Sequence, residues 1–261
     1  MLKSVERVIR SNLYTYLLLR KFAVFLCRFF YVEQGFSILE KIEFQQDRCF
    51  IDVGSNDGSS IRMVRKKHKN VKIVAIDPIV KAKNLDSRSL YLCCALGDVA
   101  QSTRIFVPRV RKRHVLSQYS SLDSQSVIDN LLQDVRIHAF EIELLERDLE
   151  IRTMDSLLLD PDFVKIDVEG FELEVMRGAS NTFKTHQPIV LVELLSQTAF
   201  NAADMFLTDL GYSQLLVLKH RFFQSKLVLS GGTHSYKRDV WNYVWVNHEA
   251  WKLFNGKLVR K

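Results

Sequence analysis

Paired cysteines, proline-rich linkers and a phosphate-cradling glycine cluster are all missing from this 261-residue chain. Its four cysteines, Cys27, Cys49, Cys93 and Cys94, show no Cys-x-x-Cys pair and no metal-ligand spacing. That argues against a disulfide framework or a zinc ribbon, and predicts reduced core thiols in a cytosolic protein. With four prolines, ten glycines, no internal repeat and no low-complexity stretch, neither a solenoid nor a flexible linker is expected. The seven histidines (His68, His114, His138, His186, His220, His234 and His248) have no His-x-His or His-x-x-x-His spacing, so no histidine metal site is expected. An uninterrupted apolar span is absent too. The run LYTYLLLRKFAVFLCRFFYV, Leu13 to Val32, is broken by Arg20, Lys21 and Arg28. A cation at the centre of a bilayer costs about 2.5–3.5 kcal/mol, which disfavours a membrane span. No small-residue cleavage site follows this run, so no signal peptide is expected.

What is present is a globular composition, 47% hydrophobic and 26% charged, long enough for one full α/β domain with a large core. The net charge of +7 suits nucleic acid, an anionic membrane or an acidic substrate, and does not choose among them. On a helical projection Lys3, Arg7, Arg10, Lys21 and Arg28 share one broad sector. Residues 1–45 are therefore expected to be a basic amphipathic helical extension. It either lies on an anionic membrane surface or covers one side of the core with its charges solvated.

From Cys49 onward strand-like and helix-like runs alternate. Strands are expected at Cys49–Val53, Lys72–Ile76, Leu90–Leu96, Phe163–Val168, Ile189–Leu194, Gln214–Lys219 and Trp241–Val246. Helices are expected at Ser60–Lys69, Lys81–Asp86, Glu172–Lys184 and Ala199–Leu210. The first five strands are Val/Ile/Leu/Phe-rich without clean alternation, as in strands buried on both faces. Residues 46–261 thus read as a doubly wound, mostly parallel sheet. Residues 99–160, containing the basic, serine-rich RVRKRHVLSQYSSLDSQS, read as a lid-like insertion. Phe222–Leu229 and Val240–Val246 read as an antiparallel hairpin at the sheet edge.

The stretch FIDVGSNDGSS, Phe50 to Ser60, carries the most chemistry. A strand ends in Asp52, a turn follows with Gly54 and Gly58, and a helix comes next. The next strand ends in another acid, Asp77. Glycines at such a turn let backbone N–H groups approach a ligand, and the second acid can accept from ribose hydroxyls. A dinucleotide would want Gly-x-Gly-x-x-Gly, yet Asn56 stands where the second glycine should be, and Asp52 is ill placed beside a pyrophosphate. An acid there suits a cationic ligand, and S-adenosylmethionine has a sulfonium, an amino group and a ribose. The expected cofactor contacts are Asp52, Gly54, Ser55, Asn56 and Gly58 around the methionine portion, and Asp77 at the ribose. Leu96 and Asp98, in the turn after the third strand, would lie beside the adenine.

A second constellation is FVKIDVEGFELEVMRG, Phe163 to Gly178. Lys165, Asp167 and Glu169 alternate along a strand and so share a face near its carboxyl end, where doubly wound sheets bind ligands. A salt-bridged strand terminus is the plainer alternative.

FIDVGSNDGSS, Asp77-Pro78, TMDSLL at Thr153–Leu158, KIDVEGFELEVMRGA at Lys165–Ala179 and IVLVEL at Ile189–Leu194 together resemble the FkbM-family methyltransferases. The resemblance implies a Rossmann-like, seven-stranded S-adenosylmethionine-dependent fold with its last strand antiparallel. It also implies O-methylation of a sugar hydroxyl in a glycan, glycolipid or related natural product. Asp77 stands where glutamate is frequent in that family. For such a reaction Asp167 is the expected general base, with Glu169 as an alternative or as the group orienting the acceptor, and Lys165 as its charge partner. No metal is assigned, although Asp167, Glu169 and Glu193 could together hold a divalent cation. The expected partner is a glycan or sugar-containing molecule. Localisation is expected in the cytoplasm or peripherally at the inner face of a membrane, with no specific nucleic acid. Two rivals stand beside this reading. One is an RNA methyltransferase, for which no Asn/Asp-Pro-Pro-aromatic element follows the fourth strand. The other is a non-catalytic cofactor-binding adaptor at a membrane.

Overall fold

The computed structural model describes residues 11–26, 38–39, 42, 44, 48–82, 85–221, 224–229, 234–237 and 240–247. The expected basic sector of Lys3, Arg7, Arg10 and Arg28 lies outside them. The chain divides into two compact units, one drawn from Met1–Glu33 and Gln101–Glu150, the other from Gln34–Ala100 and Ile151–Lys261.

The larger unit is built on an eight-stranded sheet. In chain order it contains β1 (Cys49–Val53), α1 (Ser59–Lys67), β2 (Lys72–Ile76), β3 (Ser89–Leu92), β4 (Pro161–Ile166), α2 (Glu172–Arg177) and α3 (Ser180–His186). It continues with β5 (Ile189–Glu193), α4 (Gln197–Asp209), β6 (Gln214–Arg221), β7 (Gln224–Leu229) and β8 (Asn242–Val246). The strand order is β7-β6-β8-β5-β4-β1-β2-β3. The pairs β3–β2, β2–β1, β1–β4 and β4–β5 are parallel. By contrast β8 runs antiparallel to both β5 and β6. This is the doubly wound, mostly parallel Rossmann-like arrangement expected, with one strand more than the expected seven: β7 extends the edge beyond β6.

All residues of β1, β4 and β5 are buried, which is why those strands lack alternation: both faces are covered. The core cluster joins Val53, Ile76, Ile166 and Val192 from the strands to Val175, Met176, Phe183, Phe200 and Leu207 from the helices. Burial pushes the Cys49 thiol up to about 12, so it packs as an inert apolar group.

Four expectations need correction. The strand expected at Leu90–Leu96 ends at Leu92, and Ala95–Leu96 pair instead with Ile151–Arg152 in another sheet. Among the described residues of Lys81–Asp86 none is helical. Six residues are too few to nucleate a helix without tertiary support, and the Asp77 carboxylate instead captures the N–H groups of Ile79 and Val80. The helix expected over Glu172–Lys184 is two helices, broken at Gly178 and Ala179. A Cβ on Gly178 would lie 1.9 Å from the Gly97 carbonyl oxygen, a backbone contact that an unbroken helix with a side chain there could not make. The terminal hairpin is formed by β6 and β7, while β8 slots between β5 and β6. Tyr243, Val244, Trp245 and Val246 are all 0% exposed, and a strand so apolar on both faces belongs inside a sheet rather than at its edge.

The smaller unit holds a helix over Leu13–Leu26, a strand over Gln101–Val110, a helix over Ser124–Asp134 and most of the strand Ile142–Arg152. The residues 99–160, read from sequence as a lid-like insertion, contain two long strands. Leu13 and Tyr16 of the first helix pack with Val110, Leu116, Leu131 and Val135 in a core of their own. Asp123 caps the Ser124 helix by accepting from the N–H groups of Gln125 and Ser126. No helix among the described residues is long and apolar enough to cross a membrane.

Candidate functional site

Strand register builds the site. Val53 of β1 lies level with Ile76 of β2 and Ile166 of β4, and Ile166 lies level with Val192 of β5. The next residue on each strand is Gly54, Asp77, Asp167 and Glu193. A glycine and three acids therefore stand at one level along the carboxyl edge of the sheet, where open α/β sheets receive ligands.

One step back into the sheet, Asp52 and Lys165 are register partners. Asp52 is 0% exposed. Its Oδ2 accepts from the Ser60 hydroxyl of α1, and its Oδ1 lies 3.5 Å from the Lys165 ammonium. Lys165 also reaches forward along its own strand to Asp167, at 3.2 Å, and donates to the Gly54 carbonyl at 3.4 Å. A buried carboxylate is tolerated only when paired. Here burial raises the Asp52 carboxyl above its ordinary value, while Lys165 and Ser60 pull it back. The carboxylate expected to meet a ligand's cation is thus given to Lys165 and Ser60. Asp167 is 29% exposed, and open to a ligand.

The turn from Gly54 to Gly58 is fixed by its neighbours. Gly54 has φ +76° and lies so close to β4 that a Cβ would meet the Asp167 carbonyl oxygen at 1.8 Å; only glycine fits. The N–H groups of Gly54 and Ser55 both donate to Ile76 O, at 2.9 and 3.2 Å. Asn56, at φ 43°, donates its N–H to Asp77 Oδ2 at 2.9 Å. Asp77 Oδ1 accepts from Ile79 and Val80 N–H, each at 2.8 Å. This acid therefore ties the two turns together while keeping lone-pair capacity on Oδ2 for one more donor. The Ser55 hydroxyl is buried without a hydrogen-bond partner among the described residues.

The turn after β4 is held from below. Glu172, the first residue of α2, accepts from Gly170 N–H at 2.9 Å and Val168 N–H at 3.3 Å. Burial, and then the nearby Asp167 charge, raise its carboxyl above the usual glutamate range. The turn places Glu169 at φ 55° and Gly170 at φ 106°, and Glu169 is exposed. Ligand atoms of Asp167, Glu169 and Glu193 all lie within 4.8 Å of one another, so the three expected carboxylates converge. Such a cluster can take a proton, orient a hydroxyl or accept a cation.

The other expected residues are placed differently. Leu96 is 2% exposed and belongs to the core, so only its backbone could face a ligand, while Asp98 is exposed. Two site residues escaped the sequence reading. Glu172 stood inside the quoted motif without a role, and Ser60 carried one signal, a polar side chain among the buried Ile61, Met63 and Val64 of α1. Away from this edge, His234 Nδ1 lies 2.5 Å from Asp204 Oδ1, which also accepts from Trp245 Nε1 at 2.9 Å. That histidine pins its segment to α4.

Comparison with known proteins adds the chemistry. A family model described as methyltransferase FkbM domain matches residues 52–213. Methyltransferase 1 of Beauveria bassiana (strain ARSEF 2860) is 25% identical over 188 residues, 65% of this chain and 74% of that protein. Among solved structures, methyltransferase FkbM from Methylobacillus flagellatus KT is 16% identical with a TM-score of 0.45, over 82% of this chain and 48% of its own. This chain therefore spans about half the length of that relative. Precorrin-6y C5,15-methyltransferase from Geobacter metallireducens GS-15 is 15% identical with a TM-score of 0.39, over 81% of this chain and 86% of its own.

Proposed function

The chain belongs to the FkbM methyltransferase family, and on that premise we propose that it is an S-adenosylmethionine-dependent O-methyltransferase whose acceptor is a sugar hydroxyl of a glycan, a glycolipid or a related natural product. The observation that carries the reading is the single level at which Gly54, Asp77, Asp167 and Glu193 stand at the carboxyl edge of the sheet. It puts a glycine turn and Asp77, the acid we assign to the ribose, beside carboxylates able to receive a proton.

The residues present suit this cofactor. The orphaned Ser55 hydroxyl and the turn around it would meet the methionine portion. The remaining Oδ2 capacity of Asp77 would accept a ribose hydroxyl. Asn56 and Gly58 shape that turn, while the Leu96 backbone and Asp98 border the adenine side. Asp52 acts through Lys165 and through its charge rather than by touching the ligand.

Bound there, S-adenosylmethionine would supply an activated methyl group, which leaves the protein to orient the acceptor oxygen and remove its proton. Asp167 takes that proton at its partly exposed carboxylate, a contribution of ~10²–10⁴-fold for a positioned base. Lys165, anchored by Asp52, fixes the Asp167 side chain. Glu169 and Glu193 accept hydrogen bonds from the acceptor and hold it in line.

The test separates binding from chemistry. Asp167→Asn should abolish release of S-adenosylhomocysteine in the presence of glycan acceptors, while calorimetry shows cofactor affinity nearly unchanged; collapse of that affinity would make Asp167 a cofactor ligand. Asp77→Ala should weaken cofactor binding, and an unchanged affinity would sink the ribose assignment. Exhaustive dialysis against a chelator should leave turnover intact. Loss restored by added Mg²⁺ would instead assign the three carboxylates to a cation.

A further inference from the structure

The smaller unit carries a surface that holds none of the candidate site residues. Its centre is the tight turn between the strand ending at Val110 and the short strand His114–Val115, closed by Arg113 N–H donating to Val110 O at 3.1 Å. The two middle residues, Arg111 and Lys112, have φ of 52° and 54°. Asn-Gly is the pair that suits such a hairpin turn most easily, yet this turn carries cations, with Arg113 next to them.

Aromatic rings lie beside the turn. The Arg111 guanidinium lies 5.9 Å from the centre of the Tyr14 ring, and Tyr14 meets His114 edge-on at 6.3 Å. On its other side Arg111 donates to Glu141 at 2.6 Å, next in sequence to Phe140. Phe140 is 85% exposed, Tyr14 64%, and Leu18, one helical turn beyond Tyr14, 68%. Three exposed cations, Arg111, Lys112 and Arg113, follow one another in the turn, the first of them paired with the carboxylate of Glu141. A phenylalanine, a leucine and a tyrosine this open to solvent on one small unit, together with a turn of cations, mark an interaction surface.

We propose that this surface docks on an anionic membrane, with Tyr14, Leu18 and Phe140 entering the interfacial layer and Arg111, Lys112 and Arg113 meeting lipid phosphates. Charge complementarity selects the occupant. Lysine and arginine beside aromatic and aliphatic side chains are the composition of interfacial anchors. A single-stranded nucleic acid would want open aromatic faces for its bases. Here Phe140 is stacked on His138, with centroids 5.3 Å apart and planes 6° from parallel, and Leu18 has no ring to offer. The inference stands apart from the methyl-transfer reading, because none of these residues belongs to the site at the sheet edge.

The experiment is co-sedimentation of the full chain with phosphatidylcholine vesicles, with and without about one part in three phosphatidylglycerol. The chain should partition onto the anionic vesicles only, and less strongly as salt rises. The double variant Lys112→Ser, Arg113→Ser should lower that partition by about 30-fold, the loss of two surface cations at ordinary headgroup attraction. Phe140→Ser should lower it too while leaving the salt dependence in place. If the double variant melts early, Lys112→Glu alone carries the charge test. No partition, equal partition onto neutral vesicles, or wild-type partition by both variant types would overturn the proposal. Salt-sensitive capture of an RNA oligonucleotide without vesicle binding would hand the surface to nucleic acid.

Discussion

Lys165 holds two carboxylates of unequal standing, one sealed in the core at 0% exposure and one at the rim at 29%. The inner one, Asp52, fixes where the ammonium sits; the outer one, Asp167, is thereby fixed in turn. Glu172 does the same for the turn carrying Glu169, through two backbone N–H groups, and its raised carboxyl makes the role measurable. An acid that is harder to ionise when folded contributes most to stability below the ordinary glutamate value of about 4.3. That contribution is lost as pH rises through the raised folded value. Glu172→Gln keeps an oxygen to accept both N–H groups and removes the ionisation. Its melting temperature relative to wild type should therefore improve between pH 4.5 and pH 8. Asp52 has the same sign, but it is common to both proteins and cancels in the difference. An offset independent of pH would show that Glu172 is not strained by ionisation in the fold.

At the scale of elements, TMDSLL has a physical reason. Asp155 accepts from Asn181 N–H at 3.0 Å, and from the Thr182 N–H and hydroxyl at 2.7 Å each. It caps α3 from a distant segment, since Ala179 just before that helix offers no side-chain oxygen. Asp155→Ala should cost about 1–2 kcal/mol in urea unfolding, and Asp155→Asn about half as much; no loss would mean that water replaces these bonds freely. Such remote caps explain what the sequence hid. β1, β2 and β5 were legible to within a residue because an apolar run closed by an acid or glycine is a local signal. The division of Glu172–Lys184 was not, since the break depends on Gly97 and Asp155, far away in the chain. In the site, Gly54 and Asp77 were readable from spacing. Ser60 was not, because it meets Asp52 only once α1 packs on the sheet; Glu172 was missed although the N–H groups it accepts from lie just two and four residues before it. The mispaired hairpin had a signal within reach: NYVWV is apolar on both faces and could not have been the outer strand.

For the molecule as a whole, the two-unit division gives the larger unit all that the proposed chemistry needs. Every candidate residue from Asp52 to Glu193, and the whole core cluster from Cys49 to Trp245, falls within Gln34–Ala100 and Ile151–Lys261. Ala95 and Leu96 pair in parallel with Ile151 and Arg152, and Gly97 N–H donates to Arg152 O at 3.0 Å, so Ala100 stands only a few residues from Ile151. About six glycine and serine residues at ~3.5 Å each can span that gap. A chain beginning at Gln34, with Gln101–Glu150 replaced by such a link, should therefore unfold cooperatively. It should hold S-adenosylmethionine within about tenfold of the full chain, because 1.4 kcal/mol is a generous allowance for a lost neighbour that supplies no ligand contact. It should also lose its partition onto anionic vesicles, since Tyr14, Arg111 and Phe140 go with the removed unit. Cofactor binding lost despite a cooperative transition would mean that the smaller unit supplies ligand contacts, and would move part of the site out of the sheet edge. Vesicle binding retained would place the membrane contact on the larger unit.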